Sequence, residues 1–252
     1  MPMRETDCCL EAERIVLKAG RAPLTVRFRP GEIVGLAGLD GHGQEVFLEV
    51  LAGWRRPLAG EVRHSGRAGG APRPIRNFRD AMRRGVAYLP RDRRRTGIFP
   101  ALSILDNFAI ASLNRDTRIG FISPRIRRER YSRFKDLLSI VADDPRRTIT
   151  TLSGGNQQKV LLARLLVREP DVLLLNDPTR GVDVATRQLL YGVFKDLALK
   201  GMTIVILSSE IEEAIFLSNR VLVFRDSTLS AELSGVELDN DRVISAMFGR
   251  AA

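Results

Sequence analysis

The feature that most constrains this chain is a glycine-rich turn, GLDGHGQE at residues 38–45, set between an apolar run at 32–37 and a helical stretch at 44–52. Within the helical stretch Phe47, Leu48 and Leu51 share one face, and Gly53 closes it. A buried strand that turns tightly into a helix is the opening half of a βα unit. Further short runs repeat the strand signal at 24–28, 85–89, 172–175, 203–207 and 221–224. Between them, Leu189, Leu190, Val193, Phe194 and Leu197 mark an amphipathic helix. The alternation predicts an α/β fold with a parallel sheet core and crossover helices.

Residues 98–150 break the alternation. They are arginine-rich and helical in pattern, with helices expected at 104–113 and 125–141 and a turn at Ser123-Pro124. They read as a helical insertion between two halves of the sheet. No apolar run reaches the roughly 20 residues of a spanning helix. Residues 1–10 carry acidic groups and lack the apolar stretch of a secretion signal, so the expected location is cytoplasmic. Cys8 and Cys9 are neighbours, too close for a disulfide framework and too few for a zinc site. They are expected as small, semi-buried residues near a strand. The net charge of +10 comes mostly from arginine, clustered at 83–84, 91–95, 125–130 and 146–147. The aromatic spacing of a single-strand binder is missing, so no nucleic acid is expected. A basic face towards an anionic membrane surface or a membrane subunit suits the charge better.

The turn is where chemistry is expected. Glycines let a backbone approach phosphate oxygens, and a helix N-terminus adds partial positive charge. Gly38, Gly41 and Gly43 stand where a phosphate-binding loop places its glycines, with Leu39, Asp40 and His42 between them. Gln44 stands where that loop has lysine, and Glu45 where it has a serine or threonine for magnesium. Two more motifs follow: LSGGNQQKV at 152–160, opening a helix, and VLLLNDPTRGVD at 172–183.

In this order and spacing the three motifs resemble the ATP-binding domains of ABC transporters, from about Leu10 to Arg250. LSGGNQ matches that family's signature motif, and NDPTRGVD its Walker B and D-loop run, usually DEPTxGLD. GEIVGLAGLDGHGQE, LSGGNQQKV and DPTRGVDVATR look like the second nucleotide-binding domain of carbohydrate-import ATPases, which usually carry two such domains in one chain. The resemblance implies a single domain over 1–252, with a P-loop NTPase-like parallel sheet core, an antiparallel β element and a helical subdomain at about 98–150. It implies a head-to-tail dimer in which each ATP lies between the Walker motifs of one domain and the signature of the other. Expected partners are a second nucleotide-binding domain, identical or not, and membrane permease subunits. The expected location narrows to the inner face of the cell membrane.

The departures form a set. By the resemblance, Gln44 replaces the lysine that reaches the β- and γ-phosphates, and Glu45 the magnesium hydroxyl ligand. Asn176 stands at the Walker B aspartate, Asp177 at the general base that is normally glutamate, Arg91 at the Q-loop glutamine and Ser209 at the switch histidine. No aromatic residue lies between Leu10 and Val26 to stack on adenine, and Phe28 reads as core. Ser153, Gly154 and Gly155 survive, flanked by Leu152, Asn156 and Gln157, and by the family's geometry they serve the partner's ATP. Asp183 would sit at the dimer interface, or merely cap the next helix. The expected cofactor is ATP, held weakly or with a partner's help; magnesium binding is left open and no protein metal ligand is assigned. The expectation is an importer's ATP-binding subunit or half, for a sugar or sugar-like solute, with a degenerate site that completes its partner's. Two alternatives stay open: a slow homodimeric ATPase, in which Arg91 or Arg93 replaces the missing charge, and a regulatory module without a transporter.

Overall fold

The computed structural model describes residues 9–66, 70–118 and 121–249. Cys8 and most of the N-terminal segment discussed above lie outside them. The chain forms two units, one of residues 1–88, 170–177 and 194–252, the other of residues 89–169 and 178–193.

The first unit contains two sheets. Strands β1 (Leu10–Val16), β2 (Leu24–Phe28), β4 (Ala59–His64) and β5 (Arg73–Pro74) form an antiparallel sheet in the order β2-β1-β4-β5. The larger sheet has the order β12-β11-β3-β10-β9-β6, with β3 (Ile33–Gly38), β6 (Val86–Leu89), β9 (Val172–Asn176), β10 (Thr203–Leu207), β11 (Arg220–Arg225) and β12 (Thr228–Ser234). β3, β9, β10 and β11 run parallel, and β12 returns antiparallel to β11. The parallel strands read as unbroken apolar runs because both faces are covered. Leu36, Leu174, Val205 and Leu222 join Phe47, Leu48 and Leu51 of α1 (Gln44–Leu51) in one core. Phe28 is fully buried, as expected. Cys9 is wholly buried rather than semi-buried, because β1 pairs on both sides with β2 and β4. The helices α2 (Phe78–Arg83), α7 (Ile211–Leu217) and α8 (Asn240–Phe248) complete this unit.

The second unit is mostly helical. It holds α3 (Ile104–Ala109), α4 (Pro124–Leu137) and α5 (Gly154–Leu166), with a short pair β7 (Thr117–Arg118) and β8 (Phe121–Ile122); α6 (Val184–Leu199) begins here. Ser123 caps α4 through the Ile126 amide, with Pro124 in the first turn, as the sequence predicts. The helix expected over 104–113 instead ends at Ala109 and continues as tighter turns, broken at Ser112 with φ −144°. Arg130 explains the break: it donates to the Ser112 hydroxyl at 2.7 Å and pairs with the wholly buried Asp116. α4 stops short of 141 because Ser139 turns left-handed, at φ 48°, and the Ile140 amide bonds back to the Lys135 carbonyl at 2.8 Å.

Two end features position the site. Leu207 of β10 lies in register with both Leu36 of β3 and Asn176 of β9. The carboxyl ends of three neighbouring strands therefore deliver residues 38–45, 176–177 and 208–209 to one edge, where open parallel sheets bind ligands. In the second unit, α5 starts at Ser153, whose side chain accepts from the Asn156 amide.

Candidate functional site

At the strand ends, the glycine turn has the shape of a phosphate loop. Gly41 and Gly43 have φ of 78° and 102°, and α1 starts at Gly43 with no side-chain cap. A Cβ at Gly43 would meet the Ser227 Cα at 2.9 Å, so both conformation and packing require glycine there. Gln44 is buried, and its amide nitrogen donates to the carbonyls of Gly38 at 3.1 Å and Leu39 at 2.9 Å. The loop thus ends in a neutral side chain folded onto its own backbone.

The next contact joins two of the substituted positions. Asn176, only 1% exposed, donates its side-chain amide to Glu45 at 2.9 Å. Beside them lies Tyr88, whose hydroxyl is pushed above its usual range chiefly by burial. The pair is a carboxylate and an amide bonded to each other, not the set of free hard oxygens that suits magnesium. Bonded in this way, Glu45 and Asn176 do not fit a magnesium ion. Asp177 takes a left-handed backbone, φ 49°, and its carboxylate accepts the Ser209 amide at 2.6 Å. Its own amide donates to the Leu207 carbonyl at 2.7 Å. The Asp177 carboxylate is therefore bonded to the backbone at Ser209. Ser208 next to it bonds to Glu213. The structure brings Gly38, Gln44, Glu45, Asn176, Asp177 and Ser209 to one edge of the first unit.

The second unit assembles the other predicted residues. The Ser153 hydroxyl, exposed at the start of α5, accepts from the Asn156 amide at 3.4 Å and side chain at 3.1 Å. Asn156 is itself held by the Val141 amide at 2.9 Å. Gln157 donates to the Leu152 carbonyl at 3.0 Å, fixing the turn before the helix. Asp183 accepts from the Thr186 amide at 2.8 Å and hydroxyl at 2.9 Å, so it does cap the helix that follows. Those two bonds lead the causes that hold its carboxyl below the usual range. A Cβ on Gly155 would come 3.3 Å from the Thr186 hydroxyl, so the signature turn and residues 179–186 are closely packed. Arg91 is exposed in this unit.

Two residues were missed as site components. Gln158, 3% exposed, donates to the Pro178 carbonyl at 2.8 Å and ties α5 to the start of the D-loop run. The second glutamine of NQQK was its only signal. Tyr88 had none beyond its place in an apolar strand.

Comparison with known proteins places this geometry among relatives. A family described as "ABC transporter" matches residues 22–180. A ribose import ATP-binding protein of Rubrobacter xylanophilus is 38% identical over 98% of this chain and 47% of its own length. An arabinose import ATP-binding protein of Burkholderia pseudomallei is 38% identical over 98% of this chain and 48% of its own. The chain thus spans about half the length of the curated relatives it matches. Among solved structures, an ATP-binding cassette of an ABC transporter aligns with a TM-score of 0.79 over 96% of this chain and 98% of its own, at 17% identity. A dimeric bacterial ABC transporter cassette aligns with a TM-score of 0.74 over 92% and 99%, at 20% identity. These structural likenesses establish the fold.

Proposed function

This chain belongs to the ABC transporter family, and on that premise we propose that it is the ATP-binding domain of an importer for a sugar or sugar-like solute, with a degenerate nucleotide site of its own. The relatives named for ribose and arabinose import support the solute class. The resemblance to the second domain of carbohydrate-import ATPases supports a role beside a competent cassette and membrane permease subunits, at the inner face of the membrane. No described helix is long and apolar enough to cross that membrane itself.

The observation that carries the degenerate site is the bond between Asn176 and Glu45. It fills the place of a magnesium ligand pair with a closed protein contact, and Gln44, bonded to its own loop, brings no charge to phosphate. Phosphoryl transfer depends on positioning and on neutralising developing charge. The glycine turn keeps the shape that admits a phosphate, so weak ATP binding is expected to survive where hydrolysis does not. The signature turn is built differently: Ser153, Gly154 and Gly155 present a hydroxyl and helix N-terminal amides. In this reading they close on the ATP of a partner that supplies lysine, magnesium ligands and base.

The test is ATP turnover by the purified chain. Negligible magnesium-dependent hydrolysis is expected. Turnover at a rate ordinary for the family, abolished by Asp177→Ala, would overturn the degenerate reading and favour a homodimeric ATPase.

A further inference from the structure

We propose that Arg93 is a positioning residue that clamps the D-loop run to the signature helix and so sets the face this chain offers to a partner's nucleotide. The functional half of this inference rests on the reading above; the clamp itself does not.

The guanidinium lies in a slot made by two missing side chains. Nη1 donates to the Arg180 carbonyl at 2.8 Å. A Cβ added to Gly154 would lie 2.5 Å from Nη2 and 3.3 Å from the Gly181 carbonyl. A Cβ added to Gly181 would lie 3.6 Å from Nη2 and 3.8 Å from Nη1. The plane of Arg93 therefore sits between the first turn of α5 and the backbone at 180–181, against both. Its own base is fixed to the same helix: the Ile98 amide bonds to the Arg93 carbonyl at 2.8 Å, and a Cβ on Gly97 would meet Leu161 of α5 at 2.8 Å. Gln158 holds the D-loop run at Pro178 and Asp183 caps α6, so Arg93 secures the stretch between two tethers.

A cation beside a helix N-terminus is electrostatically unfavourable; the bond to the Arg180 carbonyl and the shape of the slot act against that cost. A planar fork fills such a slot and directs its donors; a lysine ammonium on a flexible stem does neither. The arrangement also gives Gly154 a second reason to be glycine, separate from any approach to phosphate.

The test has two arms. In the purified chain, amide exchange is followed across residues 179–183 and the first turn of α5. Arg93→Ala is expected to speed exchange there by about tenfold or more, the scale of losing one charge-assisted hydrogen bond, and to leave β3 and β10 unchanged. Gly154→Ala, which pushes the guanidinium out, should give the same local change, and the double variant should add nothing to it. Arg93→Lys should not restore protection. Unchanged exchange at 179–183 in both single variants, or full protection in Arg93→Lys, would overturn the clamp. If Arg93→Ala does not fold, Gly154→Ala carries this arm. In the second arm, ATP turnover is measured in a complex with a cassette whose phosphate loop keeps its lysine. Arg93→Ala should lower kcat by about 10²-fold, as misplacement near 1 Å does, with KM unchanged. Faster exchange with unchanged turnover would overturn the link to the partner's nucleotide while the clamp stands. An inactive wild-type complex would sink the partner reading instead, and the exchange arm would still decide the clamp.

Discussion

At the strand ends of the first unit, the side chains of Gln44, Glu45, Asn176 and Asp177 are turned towards other parts of the same chain. Asn176 donates to Glu45, Gln44 to the carbonyls of Gly38 and Leu39, and Asp177 accepts the Ser209 amide. In the second unit the polar groups also bond to one another, but they hold a turn in place: Asn156 and Gln157 brace Ser153, and Ser153 stays exposed. The bonds to Ser153 use its oxygen as acceptor and leave its proton to donate elsewhere. Satisfaction is incomplete in both: Gln44 Oε1 and Asn176 Oδ1 in the first region and Gln158 Oε1 in the second are buried without a hydrogen bond. The regions differ in what their bonds leave over. One closes on itself, and the other ends in a donor aimed outward.

The largest expected effect follows from that difference. In a complex with a competent cassette, Ser153→Arg should lower ATP turnover by about 10²–10³-fold, the usual loss for one transition-state donor. ATP binding to either separated domain should hardly move. Asp177→Asn in this chain should leave turnover of the complex nearly unchanged. Steady-state hydrolysis by the two variants decides the matter. Turnover intact in Ser153→Arg and lost in Asp177→Asn would reverse the roles of the two regions.

A second way to break the comparison is to restore the family's aspartate. Asn176→Asp places a carboxylate at the position that now donates to Glu45 at 2.9 Å. Two carboxylates that close cannot both ionise without cost, and a loss of about 1–3 kcal/mol at neutral pH is expected. The folded pair would hold a proton more tightly than the unfolded chain, so stability should be regained as pH falls. Urea unfolding at several pH values reads this directly. Adding Glu45→Thr should recover most of the loss. A variant as stable as the wild type at neutral pH would show that the Asn176–Glu45 bond is not what closes the site.

Much of this contrast was legible in the sequence, for reasons that differ by region. The parallel strands announced themselves because burial on both faces leaves apolar runs such as VLLLN. β1, LEAERIV, carries three charged residues in seven and passed unread, since only Leu10, Ala12 and Ile15 face the core. The glycine turns at 38–43 and 154–155 were visible because glycine recurs there at fixed spacing. Gln44 and Glu45 were also visible at the end of the turn; that Asn176 donates to Glu45 was not. A contact between residues 131 positions apart leaves no local pattern. The helix ends were lost similarly: Ser112 breaks the stretch after α3 because Arg130, far along the chain, takes its hydroxyl.

A smaller effect sharpens the reading of the loop. Gln44→Lys combined with Glu45→Thr returns a cation and removes a negative charge at the start of α1. ATP affinity of the isolated chain should rise by about tenfold, near 1.4 kcal/mol, by calorimetry. Equal affinity in wild type and double variant would mean that the loop's own hydrogen bonds, not its charge, limit binding.

The smallest effect separates the two units by pH. His64 on β4 is buried, with Nε2 3.9 Å from the Cys9 sulfur and 3.7 Å from Asp171, one residue before β9. Burial pushes its pKa below the ordinary 6.5, against the pull of Asp171 and with help from Arg84. A histidine depressed in the folded state binds its proton more readily unfolded. Stability from this site is therefore full above 6.5 and declines as pH falls from there through the lowered folded value. In the second unit Tyr131 is pushed up to about 12 and Arg164 down to about 10, while Asp144 and Asp183 move below 3.8, so these four lie outside the window. Between about pH 7.5 and 5.5, amide exchange in β4 and β9, corrected for its intrinsic pH dependence, should quicken on acidification. Exchange in α4 should not. His64→Gln should flatten the response of the first unit. Equal slopes in wild type and variant would show that His64 is satisfied in both protonation states, and that the pH response of the first unit lies elsewhere.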